Sequence, residues 1–138
     1  TTPYQATLDG NEQYKNVDGV FELLKAMRAE PDLKRMMGSI LFIEQPIQRS
    51  EALAHDVTAL AEDFPVIIDE SDADLSAFPV ARSKGYRGVS SKDCKGFYKS
   101  LINLARCRMW SAADGKSYFM SAEEAKKYGI IDEIHKAR

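Results

Sequence analysis

The stretch Pro65-Val-Ile-Ile-Asp-Glu-Ser71 decides the fold, because a short apolar run ends abruptly in acidic and hydroxyl side chains. A run that is apolar throughout, without polar alternation, predicts a strand buried on both faces. Similar runs lie at Gln5-Ala-Thr-Leu8 and Ile40-Leu-Phe-Ile43, and a weaker one lies at Tyr86-Arg-Gly-Val-Ser90. The chain therefore contains four candidate strands, each followed by polar residues.

Helical periodicity separates these strands. Apolar residues recur three and four apart after Val17, and Pro31 ends that pattern. Three further helices are predicted, one capped by Ser50, one over residues 75–83 and one over residues 96–108. Strands that alternate with helices predict an α/β fold with a parallel sheet and right-handed crossovers. In the second and fourth helices, the side chains expected to face the core are Leu53, Val57, Leu60 and Ala61, and Phe97, Leu101, Leu104 and Ala105.

The C-terminal stretch has a different pattern. Residues 118–129 predict a short helix with Ser121 as N-cap, Glu124 completing a capping box and Gly129 as C-cap. Ile130-Ile131 then begins a last extended segment. We therefore expect a main α/β domain over residues 1–116 and a helix-strand tail over residues 117–138.

Composition excludes several classes of function. The 138 residues carry a formal net charge of -2 and are 44% hydrophobic, which predicts one compact domain without a nucleic-acid partner. The apolar runs are too short to span a membrane, so no membrane partner is expected. Cys94 and Cys107 are too sparse for a disulfide framework. Both are predicted to be free, buried thiols in a cytoplasmic protein.

Three carboxylates, Asp9, Glu44 and Asp69, follow three successive predicted strands, and Lys92 follows the fourth. Because parallel strands present their carboxyl ends at one edge, these side chains are expected to converge there. Converging carboxylates repel each other unless a cation neutralises them, and Mg²⁺ or another hard divalent ion suits oxygen ligands. Such an ion would lower the pKa of a neighbouring lysine. Together the groups suit proton abstraction α to a carboxylate.

Each motif also has a structural interpretation. Asp9-Gly-Asn11 is a common turn sequence, and Glu44 suits a solvated strand end. Asp69-Glu-Ser71 suits a helix N-cap, and Lys92 and Lys95 suit an exposed surface. The chemical interpretation therefore depends on the four motifs occurring together.

Four motifs, Asp9-Gly-Asn11, Ile43-Glu-Gln-Pro46, Ile68-Asp-Glu-Ser71 and Lys92-Asp-Cys-Lys-Gly96, resemble the D-x-N, E-Q-P, D-E-S and K-x-x-K-G signatures of the enolase superfamily. The mandelate racemase and muconate lactonizing enzyme branch is the closer match. The resemblance covers about residues 5–122, with the motifs in the family's order and spacing.

The resemblance implies a partial (β/α) TIM-type barrel of four consecutive units. It further implies that Asp9, Glu44 and Asp69 bind Mg²⁺ and that Lys92 is the catalytic base. Asn11, Glu70 and Lys95 are then supporting groups. The implied enzyme is an isomerase or a lyase (a racemase, cycloisomerase or dehydratase) acting on a small-molecule carboxylate.

Several family elements have no counterpart in these residues: the capping domain, the first two barrel strands with their K-x-K pair, and the last two strands. The alternative is therefore a non-catalytic half-barrel scaffold that self-associates. The expected protein partner is a second copy of the chain or the missing half of the barrel.

Residues 119–134 resemble the C-terminal segment of the Clp protease proteolytic subunit. That enzyme's serine and histidine motifs are missing, so its protease activity is not expected here. A third interpretation, an interaction module built on this tail, rests on this resemblance alone.

Overall fold

A computed structural model of the chain describes residues 3–122, which form one parallel sheet with helices along its length. The strands are β1 (Ala6–Asp9), β2 (Ile40–Glu44), β3 (Val66–Ile68), β4 (Gly88–Ser91) and β5 (Phe119–Ala122). The helices are α1 (Val17–Ala29), α2 (Lys34–Met37), α3 (Arg49–Ala52), α4 (Thr58–Asp63), α5 (Ala77–Ser83) and α6 (Phe97–Asp114). Two 3-10 turns, Pro31–Leu33 and Asp93–Lys95, precede α2 and α6.

The five strands are hydrogen-bonded in their chain order, and every neighbouring pair is parallel. This arrangement is a curled, partial barrel, as the sequence predicted. Helix α1 begins where predicted, because the Asn16 side chain accepts a hydrogen bond from the Asp18 N–H at 3.1 Å. Val20, Leu24 and Met27 form its buried face.

The fifth strand corrects the prediction for the tail. Residues 119–122 were expected to lie in a helix, but they pair with β4 along its whole length, with Ser121 opposite Ser90. The rest of the predicted tail, including Glu124, Gly129 and Ile130-Ile131, lies outside the described residues. These residues form a strand and not the predicted helix, because pairing supplies hydrogen-bond partners to the edge of β4.

The sheet has two buried faces with different neighbours. Ile43, Val66, Ile68 and Val89 pack with the helices in the main hydrophobic core. On the other face, the ring centroids of Phe42 on β2 and Phe119 on β5 are 5.3 Å apart. Strands β2 and β5 are three strand spacings apart, about 14 Å along a flat sheet, so this contact reflects curvature. Phe42 and Phe119 thereby pack against each other on the concave side of the sheet.

The second predicted helix is broken into α3 and α4. Ser50 lies inside α3 and is not its cap, because the helix starts one residue earlier, after Gln48. Between the two helices, the Asp56 side chain accepts from the Thr58 N–H at 2.8 Å. The Val57 N–H donates to Lys84 O at 2.7 Å. These bonds end one helix and start the next, although Val57, Leu60 and Ala61 are buried as predicted.

Helix α6 buries a different face from the one predicted. Its buried residues are Ser100, Asn103 and Cys107, whereas Phe97 and Leu101 are exposed. The polar residues can be buried because they find partners: the Ser91 and Ser100 hydroxyls are 3.0 Å apart. The prediction failed because apolar spacing alone does not reveal such partners.

The two cysteines differ in environment. Cys107 is buried, as predicted, and burial raises the pKa of its thiol to about 12. Cys94 is exposed, so the prediction that both thiols are buried is wrong for this residue. Cys94 follows the strand end at which the sheet meets solvent.

Within residues 3–122, the helices are either too short or too polar to cross a bilayer.

Candidate active site at the carboxyl ends of the strands

The strand register places the predicted site residues on one face of the sheet. Asp9 is the direct partner of Glu44, and Glu44 is the partner of Ile67. Since side chains two residues apart share a face, Asp69 lies on the same concave side as Glu44. The structure thus places Asp9, Glu44 and Asp69 at one edge of the sheet, but among the described residues they are not close enough together to hold one ion.

The loops that follow β1 and β2 hold this edge in an unusual backbone conformation. Among the described residues, the non-glycine residues with positive φ are Asn11 (42°), Glu12 (61°) and Gln45 (35°). All three lie within three residues of a predicted metal ligand. Such conformations cost free energy and persist where surrounding contacts enforce them, commonly at functional sites.

Gly10 permits the close approach of these two loops. Its N–H donates to Glu44 O at 2.7 Å, and an added Cβ would lie 2.4 Å from Pro46 Cα. The next residue, Asn11, donates its N–H to Asp9 Oδ1 at 2.9 Å. The Asn11 side chain is exposed, so its contribution in this structure is through the backbone. Asp9 itself is also exposed.

Glu44 is the most electrostatically costly of the three carboxylates. It is 8% exposed. Burial raises the pKa of Glu44, the negative charges of Asp69 and Asp9 raise it further, and the Ser90 side chain and the Lys92 charge only partly offset this. A cation placed among these groups would remove that penalty.

Asp69 is compensated by two lysines. Lys92 Nζ contacts Asp69 Oδ2, and Lys95 Nζ lies 2.5 Å from Asp69 Oδ1. Lys95 also donates to Asp69 O at 2.8 Å and to Ser90 O at 2.9 Å, so all three of its protons have acceptors. Lys92 is 39% exposed. Of the two, Lys92 is therefore the ammonium group that faces solvent and an incoming molecule.

The charges of Asp69 and Lys92 stabilise each other. Burial opposes ionisation of Asp69, but hydrogen bonds from Lys92 and Lys95 outweigh it and hold the pKa of Asp69 below its ordinary value. The same hydrogen bond to Asp69 raises the pKa of Lys92. A lowered pKa was predicted for Lys92 beside a bound cation. The contact with Asp69 gives the opposite direction in this structure, and it stabilises the protonated ammonium form.

Three residues near this edge were missed by sequence reasoning. Glu12 and Arg49 form a bidentate ion pair, with Arg49 Nε 2.8 Å from Glu12 Oε1 and Arg49 Nη2 2.6 Å from Glu12 Oε2. They join the β1 loop to the start of α3, and nothing in the sequence pairs residues 37 apart. The third is Gln45, which is 1% exposed. Its place beside Glu44 in the E-Q-P motif could have drawn attention to it.

The donor set suits a hard divalent cation in its chemistry but is not assembled around one. Within residues 3–122, no three His, Cys, Asp or Glu side chains lie close enough to hold one ion. Glu70 Oε2 is buried and has no hydrogen-bond partner in that same part of the chain. Oxygen ligands, an uncompensated Glu44 and this orphaned oxygen fit a cation. Binding one requires Lys92 to release Asp69 and the three carboxylates to turn toward a shared point.

Comparison with known proteins supports the fold. A crystal structure described as an unknown member of the enolase superfamily, from Enterococcus faecalis V583, matches with a TM-score of 0.53 and 20% sequence identity. The match covers 86% of this chain and 28% of that one, so the chain spans less than a third of the solved protein. No protein-family model and no curated protein matches the chain. The resemblance of residues 119–134 to the Clp subunit stays a prediction.

Proposed function

We propose that the chain is part of an enolase-superfamily barrel, of the mandelate racemase and muconate lactonizing enzyme branch, and that its acidic edge binds Mg²⁺ for proton abstraction α to a carboxylate. The observation that supports this is the placement of four motifs at four neighbouring strand ends, with their charged side chains on one concave edge. A structural neighbour described as an enolase-superfamily member has the same fold over most of this chain.

In this proposal, Asp9, Glu44 and Asp69 hold the cation. When bound, the ion would supply positive charge that stabilises negative charge developing on the substrate carboxylate. Glu44 would gain most, because Ser90 and Lys92 offset the cost of its buried charge only in part. Glu70, whose Oε2 lacks a partner among the described residues, would lie beside this cluster.

Lys92 would accept the substrate proton at Nζ. In the free chain its contact with Asp69 keeps it protonated, so it must be separated from Asp69 before it can act as a base. Lys95 already satisfies all its donors on Asp69 and Ser90, and it would hold the Asp69 carboxylate while Lys92 moves. A base on the opposite face of the substrate would come from residues outside the four motifs.

The substrate class is a small molecule with a carboxylate next to a weakly acidic C–H bond. Racemisation, dehydration and cycloisomerisation share proton abstraction as their first step, so isomerase and lyase outcomes are both compatible with this site. Because the chain spans 28% of the solved neighbour, turnover would require the remaining barrel strands, from a longer chain or a partner.

Calorimetric titration with Mg²⁺ tests the metal site. We expect binding by the wild-type chain and at least a tenfold weaker affinity for Glu44→Gln, which keeps the shape and removes the charge. Glu62→Gln, at an exposed position on α4, is the matched control and should bind like wild type. Equal binding by wild type and Glu44→Gln, or no binding at millimolar Mg²⁺, contradicts the proposal.

A self-associating, non-catalytic scaffold is the second candidate. It is favoured by the exposed apolar side chains on α6, where Tyr98 is 80% exposed and Met109 is 66% exposed. Sedimentation equilibrium of the wild type and of Tyr98→Lys tests it. A dimer that Tyr98→Lys dissociates supports this candidate. A wild-type chain that is monomeric at 100 micromolar, about the upper range of such experiments, contradicts it.

A further inference from the structure

We infer that Gln45 is a positioning residue that couples the three carboxylate-bearing strand ends, and this inference rests on the proposed metal site. Gln45 follows Glu44 directly, and its backbone has a φ of 35°, in the left-handed region. It is 1% exposed, so neither solvent nor a ligand contacts it. Any effect on the site must therefore act through the residues to which it is hydrogen-bonded.

The main chain of Gln45 connects β2 to both neighbouring strand ends. Its N–H donates to Ile67 O at 2.9 Å, which continues the ladder with β3. Its carbonyl does not continue that ladder, because it accepts from the Glu12 N–H at 2.8 Å, in the loop that carries Asp9. The next donor in the ladder, the Asp69 N–H, is thus left without a main-chain acceptor.

The Gln45 side chain fills that position. Its Oε1 accepts from the Asp69 N–H at 2.8 Å and from the Ser71 N–H at 3.2 Å. Its Nε2 donates to Ile47 O at 2.8 Å and to Ser71 Oγ at 2.7 Å. Both donors and both acceptor positions of the amide are used, so the side chain is held in one orientation.

The consequence is a single rigid link among the strand ends. One residue bonds to the loop after Asp9, follows Glu44 in the chain and holds the backbone of Asp69. A buried, fully hydrogen-bonded amide of this kind orients ligands without touching the ion. The same requirement explains the positive φ of Gln45. This conformation lets its carbonyl accept from the loop after β1 while its main-chain N–H donates to β3.

Gln45→Met tests the inference, because methionine has a similar length and cannot make these hydrogen bonds. We expect the dissociation constant for Mg²⁺ to rise about 10- to 100-fold, the range seen when ligand-orienting partners are removed. Gln48→Met, three residues along on the same loop, is the matched control and should stay within twofold of wild type. Equal Mg²⁺ affinities for wild type and Gln45→Met would overturn the inference.

A second readout needs no metal and separates the inference from the metal site. The Lys95 ammonium is held by Asp69 and Ser90, so its protons should exchange slowly with water and be visible by ¹⁵N NMR. We expect Gln45→Met, if folded by circular dichroism, to speed this exchange at least tenfold, and Gln48→Met to leave it unchanged. Unchanged exchange in Gln45→Met refutes the positioning role even if the wild type binds no Mg²⁺.

Ser71→Ala provides the milder change if Gln45→Met does not fold. It removes the hydrogen bond from Gln45 Nε2 to Ser71 Oγ and leaves the other three hydrogen bonds of the Gln45 side chain in place. We expect both readouts to move in the same direction by about fivefold, the equivalent of one hydrogen bond. No change in either readout for folded Ser71→Ala would count against the inference.

Discussion

Glu44 is buried beside two other carboxylates, so its charged form is a source of instability. Because its pKa is raised above the ordinary 4.5, the folded state favours the protonated form. The stability gained from the protonated Glu44 side chain is present below pH 4.5 and is lost as pH rises through the folded-state pKa. At pH 7 we expect Glu44→Gln to stabilise the chain by about 1 kcal/mol, or roughly 4 °C in thermal melts.

Glu62→Gln is the control for this prediction. Glu62 is an exposed carboxylate on α4, so the melting temperature of this variant should match that of wild type. A Glu44→Gln chain that melts below wild type would mean that the Glu44 carboxylate is already compensated.

Asp69 has the opposite pH dependence. Its pKa lies below the ordinary 3.8, so the stability it contributes is present above that pH and is lost as pH falls through the folded-state pKa. Urea unfolding of wild type and Asp69→Asn should therefore differ by about 1–3 kcal/mol at pH 7, and the difference should shrink as pH falls below 3.8 through the folded-state pKa. Most of this is expected from Lys95, since the partly exposed Lys92 is screened by water.

Asp63→Asn is the matched control for the pH series. Its ion pair with Arg28 is exposed on both sides, so removing the charge should change stability by less than about 0.5 kcal/mol at any pH. A wild-type to Asp69→Asn difference that does not change with pH would contradict the assigned role of the two lysines.

At the scale of elements, the first four strands were predictable because continuous apolar runs with polar ends are typical of buried strands. The helices were less so. The break between α3 and α4 depends on the Val57 N–H reaching Lys84 O, a contact between segments far apart in sequence. The buried polar face of α6 depends on Ser100 meeting Ser91. Neither partner can be identified from the spacing of apolar residues.

Gly85 lies at an element boundary where a side chain is poorly tolerated. It has a φ of 93°, and an added Cβ would lie 2.6 Å from the Thr58 N atom. We expect Gly85→Ala to lower the free energy of unfolding by about 2–4 kcal/mol, from backbone strain and displacement of the α4 N-terminus. Chemical denaturation measures the change.

Gly38→Ala is the control for Gly85. Its φ is -71°, and the nearest atoms to an added Cβ are 3.7 Å away, an ordinary contact. This variant should be neutral or stabilised by up to about 1 kcal/mol, because alanine restricts the unfolded chain. Equal effects at the two positions would show that the turn at Gly85 adapts.

At the scale of the whole molecule, the curl of the sheet brings Phe42 on β2 and Phe119 on β5 into contact. A double-mutant cycle with Phe42→Ala and Phe119→Ala should give a coupling energy of about 1 kcal/mol, as for other packed aromatic pairs. Phe97 and Tyr98, whose rings touch on the exposed side of α6, should couple more weakly. A coupling near zero for Phe42 and Phe119 would mean that the sheet is flatter in solution.

The sequence by itself determined the parallel α/β arrangement, the four motif-bearing strand ends and the acidic and basic residues that meet there. These follow from local patterns, because an apolar strand and its polar end are formed by consecutive residues. Only the tertiary structure decided that 119–122 form a fifth strand, that Lys92 and Lys95 share Asp69, and that Gln45 links three strand ends. Those features join residues remote in sequence, and their free energy depends on distances and burial that arise only when the sheet curls.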